Sequence, residues 1–253
     1  MNRMCRMFAL KGSPLLASYL QASLIEAAKK DDFSNGESHK DGWGFVAYCD
    51  SSQMYYRSAL PIFQDGFSSL AFHGFSSPVA AISHARFSAP GEPVRGPFDS
   101  HPFSTHIGEN LVYVSHNGWI DKRKLVSKLS LEPSRLNDTE IFTYFLEGEG
   151  DVEQRLVDSI KKVKQMEADI GALNLFVLVI KRSGEREVLF YSDFKPKDRA
   201  KELYYTLYSY ESEWGCAVMS SSVAFKAGFI DQNGNPQKDG VRVVPKGRLG
   251  KII

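Results

Sequence analysis

Four short stretches carry side chains whose types could do chemistry. Cys5 stands at the start of an apolar run, directly after Met4. A free thiol is only a few per cent thiolate at pH 7, so it needs a neighbouring base to act as a nucleophile. In a chain that starts at Cys5 that base is its own α-amine, whose pKa of about 7.7–8.0 lies near neutrality. The plain alternative is a buried strand cysteine. Ser115-His116-Asn117-Gly118 closes a second apolar run. Asn-Gly is a common turn dipeptide, but an Asn amide and the next glycine N–H can also point at one oxygen as an oxyanion hole. His84-Ala85-Arg86-Phe87 ends a third run; Arg86 is either a surface cation or a guanidinium fork for a carboxylate. Asn137-Asp138-Thr139-Glu140 opens a helical pattern. An N-cap with an acidic first turn accounts for it, and a carboxylate facing an ammonium group is the functional alternative.

The hydrophobic pattern predicts the elements that would position these residues. Residues 4–10 read as a buried strand, and 14–30 as a helix with Pro14 at its start and Leu16, Leu20, Leu24 and Ala28 on one face. Strands follow at 45–49, 54–59 and 79–87, then a long loop over 88–107 rich in proline and glycine. A strand over 111–115 ends at His116-Asn117-Gly118. Helices are predicted at 122–129, 139–146 and 152–166. The remainder reads as strands at 173–181, 187–192, 204–209, 216–221 and 241–244, with tyrosines 204, 205, 208 and 210 packing along one of them and Cys49 and Cys216 as buried strand thiols.

Composition excludes several classes. The 253 residues hold 31 basic and 30 acidic side chains, a net charge of +1 that offers no field for nucleic acid or an anionic membrane. The longest apolar stretch, 172–180, is too short to span a bilayer. Three cysteines without a CxxC give neither a disulfide framework nor a zinc site, and a cytoplasmic location is expected. All six histidines fall between His39 and His116, yet none forms an HxxxH or HExxH pair, so no metal is expected. There is no GxGxxG or GxxxxGK[ST], so no nucleotide cofactor is expected either.

Taken in order, Met4-Cys5-Arg6, His39-Lys40-Asp41-Gly42-Trp43-Gly44, His84-Ala85-Arg86 with Gly91-Glu92, Ser100-His101-Pro102-Phe103, His116-Asn117-Gly118 and Asp138-Thr139-Glu140 resemble the class II glutamine amidotransferases. These are N-terminal-nucleophile (Ntn) hydrolases, and the likeness is to members whose glutaminase domain stands alone. The resemblance implies an α+β fold: a four-layer αββα sandwich with two stacked, mainly antiparallel sheets, covering residues 1–253 as a single domain. It assigns Cys5 as nucleophile with its α-amine as base, Asn117 and Gly118 as oxyanion hole, Arg86 to the substrate α-carboxylate and Asp138 to its α-amino group. The implied substrate is glutamine or a γ-glutamyl compound, cleaved through a Cys5 thioester, and either a separate ammonia-acceptor enzyme is the partner or hydrolysis is the whole reaction.

Two positions depart from the pattern. Ala89 stands where several glutamine-hydrolysing relatives have threonine three residues after the arginine, and Met1–Met4 precede the nucleophile. While those four residues are attached, Cys5 carries an amide instead of an amine. Initiation at Met4, followed by its removal, is the expectation. Two other readings stay open: a cysteine acylase of non-glutamyl amides, and a non-catalytic binding subunit with the same fold.

Overall fold

The computed structural model describes residues 4–50, 52–89, 91–93, 95–126, 132 and 135–253. The tail residues 1–3 and residues 127–129 of the predicted helix 122–129 lie outside them.

Strand β1 (Arg6–Gly12) starts one residue after Cys5. Helix α1 (Pro14–Lys29) begins where Ser13 Oγ accepts the Leu16 N–H at 3.2 Å and Pro14 supplies a preset φ. There follow β2 (Trp43–Tyr48), β3 (Gln53–Ser58), β4 (Val79–Ala85), β5 (Phe103–Ile107) and β6 (Asn110–Ile120). Helices α2 (Lys122–Val126), α3 (Asp138–Leu146) and α4 (Val152–Gln165) form the middle of the chain. The last part is β7 (Asp169–Ile180), β8 (Arg186–Phe194), α5 (Arg199–Tyr205), β9 (Leu207–Ser212), β10 (Gly215–Ser220), α6 (Ser221–Lys226), β11 (Val241–Val243) and β12 (Leu249–Ile252).

Two antiparallel sheets form, in the orders β11-β9-β10-β1-β4-β2-β3 and β12-β8-β7-β6-β5. Strand alternation assigns their faces. On β1, Met7 and Ala9 point at the second sheet and join Val46, Ile82, Phe176, Leu178 and Val188 in the core between the sheets. Phe8 and Leu10 point the other way, onto Leu16, Leu20 and Leu24 of α1 and Val223 and Ala224 of α6. On the far side Val112, Val114, Leu175 and Val177 meet Ile141 and Phe142 of α3 and Leu156, Ile160 and Val163 of α4. The layers are therefore α, β, β, α. Leu20 is fully buried, so truncating it to alanine would cost about 2–5 kcal/mol.

Several boundaries differ from the pattern-based reading. His116-Asn117-Gly118 is not a strand end: β6 continues to Ile120, and β7 pairs with it across a register shift between Gly118 and Trp119. Tyr204 and Tyr205 close helix α5, which the Asp198 side chain starts by capping the Lys201 N–H. The segment 88–107 includes β5, and α6 and β12 carry too few periodic residues to stand out from sequence. Cys49 is buried, whereas Cys216 is only partly so.

Candidate active site

Strand pairing brings the first two candidate residues together. Arg6 on β1 lies opposite Ala85 on β4, so one further step of the antiparallel ladder sets Cys5 against Arg86. Cys5, Arg86, Gly118 and Asp138 all line one cavity, together with Phe87, Ser88, Glu92, His101, His116 and Trp119. Residues up to 133 positions apart in sequence thus share one space at the end of the two sheets.

The Cys5 side chain is buried against the backbone of Phe87, whose N–H donates to Sγ at 3.3 Å. Burial pushes the thiol up to about 11, with the Phe87 N–H and the Arg86 charge opposing. In this chain Met4 is joined to Cys5. Met4 is itself buried among Ala172, Phe194, Tyr204 and Tyr205, and its carbonyl accepts the Tyr204 hydroxyl at 3.1 Å.

Arg86 is 3% exposed. Its guanidinium donates to Ser88 Oγ at 3.1 Å and to the carbonyls of Pro93 at 3.2 Å and Asp41 at 3.5 Å. Among the described residues no carboxylate lies within 4.0 Å of it, so a buried positive charge has only neutral partners. Asp138 sits on the first turn of α3, where Asn137 Oδ1 accepts the Thr139 N–H at 2.9 Å and Glu140 Oε2 accepts the Asn137 N–H at 3.3 Å. The Asp138 carboxylate takes the Ile120 N–H at 3.0 Å, the Thr139 N–H at 2.7 Å and the Thr139 hydroxyl at 3.3 Å. Capping and site placement therefore coexist in the same four residues.

Gly118 lines the cavity and Asn117 does not. A Cβ at Gly118 would collide with the Ala172 carbonyl and His116 Nε2, so no other residue fits this strand position. Asn117 follows the parity of Tyr113 and looks into the space between the sheets, where neither its Oδ1 nor its Nδ2 has a partner among the described residues. It is 1% exposed.

Two polar groupings escaped the motif reading. His84 and His101 stack with ring centroids 4.0 Å apart, and His116 lies against Thr139 and Asp138. Burial lowers the pKa of all three, to about 3 for His84, so they are neutral at pH 7. His101 lines the cavity, and neither of its ring nitrogens has a partner among the described residues. Behind Cys5 is a fully buried network: Arg6 Nε to Asp31 Oδ2 at 2.6 Å and His39 Nε2 to the same oxygen at 2.8 Å, with Ser222 donating to Asp31 as well. Arg6 also donates to the Cys5 carbonyl at 3.2 Å and stacks on the Tyr204 ring at 3.8 Å. Burial favours the protonated Asp31 carboxyl, but Arg6 and His39 outweigh it and hold the group well below the usual carboxylate range. Among the described residues no three His, Cys, Asp or Glu side chains converge to hold a metal, and no helix is long and apolar enough to cross a membrane.

Two stacked antiparallel sheets thus lie between helical layers, with Cys5 just ahead of the central strand β1. Solved structures with this fold include the allosteric regulatory enzyme of purine biosynthesis, at 16% identity and a TM-score of 0.64. That match covers 98% of this chain but 46% of the enzyme's chain, so the chain spans about half its length. A glutamine aminotransferase class-II domain protein from Silicibacter pomeroyi matches at 14% identity and a TM-score of 0.51, covering 98% of this chain and 94% of the other. In sequence, no family model and no curated protein matches the chain.

Proposed function

We propose that this protein is an amidohydrolase of glutamine amidotransferase type that cleaves the γ-amide of glutamine or a γ-glutamyl compound, in a reducing, cytoplasmic setting that keeps Cys5 a thiol. The observation that carries the reading is Arg86: a guanidinium buried beside Cys5 without an anionic partner among the described residues, in a cavity that also holds Asp138. Burying a charge is costly unless it is paired, so a ligand carboxylate is the natural partner. An acylase for apolar acyl groups has no use for that charge. The class II fold of the two solved structures supports the same reading.

In the proposed reaction Cys5 is the first residue. Its α-amine takes the thiol proton, and the thiolate attacks the γ-carbonyl carbon. The oxyanion accepts hydrogen bonds from the Gly118 N–H and the Asn117 amide. The ammonium returns its proton to the leaving nitrogen as the C–N bond breaks, leaving a γ-glutamyl thioester. Water then gives a proton to the amine and attacks the thioester carbonyl carbon; the C–S bond breaks, glutamate leaves, and the ammonium returns its proton to the Cys5 thiolate. With Met4 attached the amine is an amide that cannot take the proton of the thiol, which burial pushes up to about 11. Intact mass and glutamate release test this together. Protein beginning at Cys5 should release glutamate from L-glutamine or γ-glutamyl amides and leave simple acyl amides untouched. Cleavage of acyl amides alone would replace the reading with the acylase. No turnover by protein confirmed to begin at Cys5 would favour a binding subunit.

A further inference from the structure

The cavity lining holds one guanidinium, Arg86, and two carboxylates, Asp138 and Glu92. Asp138 already accepts three hydrogen bonds, from the Ile120 N–H, the Thr139 N–H and the Thr139 hydroxyl. A carboxylate offers about four acceptor sites and an ammonium carries three donors, so Asp138 alone cannot satisfy an α-ammonium group. Glu92 is fixed on the same wall by a turn in which its N–H donates to the Ala89 carbonyl at 3.2 Å. Its Oε2 accepts from Lys122 Nζ at 3.0 Å, and its side chain is 10% exposed. Lys122 is also tied to the Leu136 carbonyl at 2.9 Å. His101, 3% exposed and with both ring nitrogens unpartnered among the described residues, faces the same cavity and independently marks it as a site that expects a polar ligand.

Resting on the glutamyl reading above, we propose that Glu92 and Asp138 together form the subsite for the substrate's α-ammonium group, Glu92 supplying the acceptors that Asp138 has already spent. Burial and the Asp138 charge raise the Glu92 pKa, and a cation between the two carboxylates would offset their mutual repulsion.

Titration calorimetry with L-glutamate and with glutarate, which lacks only the ammonium, tests this without requiring turnover. Wild-type protein should prefer L-glutamate, and Glu92→Gln should weaken L-glutamate about tenfold or more while leaving glutarate nearly unchanged. Lys122→Met cuts the tether but keeps the Glu92 carboxylate, and should hold L-glutamate at least as tightly as wild type. Wild type that binds neither ligand overturns the glutamyl reading itself. Wild type that binds both equally leaves Arg86 in place but removes the ammonium subsite. A Glu92→Gln protein that keeps the preference, or a Lys122→Met protein as weak as Glu92→Gln, reduces Glu92 to a loop tether.

Discussion

Arg6 and Arg86 are both buried, as are Asn117 and Asn174, and the members of each pair differ in one respect. Arg6 is matched by Asp31, by two carbonyls and by the Tyr204 ring; Arg86 has only neutral acceptors. Asn174 and Asn117 face each other across the β6–β7 ladder. Asn174 donates to the Tyr205 carbonyl and accepts from Ser192, both at 2.8 Å, whereas Asn117 has no partner among the described residues. The chemistry of each pair is the same and the burial nearly so; the arginines differ in charge compensation, since only Arg6 faces a carboxylate although its Nη2 has no hydrogen-bond partner among the described residues, and the asparagines differ in hydrogen bonding. A buried charge that the fold has neutralised serves the fold, and one left with neutral partners on a cavity wall is open to a ligand of opposite charge.

The largest effect is expected where the fold is complete. Arg6→Met strands the Asp31 carboxylate in the core and should cost about 3–5 kcal/mol in urea denaturation, and adding Asp31→Leu should recover most of it. Arg86→Leu should cost little or even stabilise, since no buried anion loses its partner, yet it should abolish glutamate binding. Equal losses from Arg6→Met and Arg86→Leu would break the contrast. At the next scale, Asn117→Ala should keep the melting transition and lose about 10²–10³ in turnover, the usual cost of removing one oxyanion donor. Asn174→Ala should do the reverse, losing roughly 1–3 kcal/mol of stability by orphaning the Tyr205 carbonyl and the Ser192 hydroxyl. Near-normal turnover in Asn117→Ala removes that residue from the mechanism.

How far the sequence revealed these groups depends on the range of the forces involved. The motifs at Cys5, Arg86, Gly118 and Asp138 were legible because each is local, and the structure gathers all four around one cavity. The helices α1, α3 and α4 were legible from apolar residues at three- and four-residue spacing with caps in front. Asp31 was not. It lies in a polar loop, and its partners Arg6, His39 and Ser222 meet it only when β1, α1 and α6 pack. The turn expected at Asn117-Gly118 failed for a related reason, since β7 supplies ladder partners on both sides of the register shift that no local propensity encodes. Glu92 belonged to a recognised motif but showed its role only once its distance to Lys122 and its place beside Asp138 were known.

The smallest effect sharpens the comparison most, because it separates an unsatisfied group from a satisfied one by pH alone. His84, His101 and His116 are all held neutral by burial, with folded pKa values below 6.5. The unfolded chain therefore binds more protons than the folded one below that pH, and stability falls as pH falls from about 6.5 toward the folded values. Each such histidine contributes up to about 1.4 kcal/mol per pH unit well below 6.5, and nothing above it. His101→Phe keeps the tilted ring contact with His84 and the edge-on contact with Phe103 and removes two nitrogens that have no protein partner among the described residues. Its stability at pH 8 should be equal to wild type or higher, and its loss between pH 6.5 and 5 should be shallower by the share of one histidine. The same substitution should weaken L-glutamate binding, because the removed nitrogens face the cavity. A variant that is destabilised at pH 8 with an unchanged acid slope would show that His101 is a satisfied core group after all, on the same side of the contrast as Asn174 and Arg6.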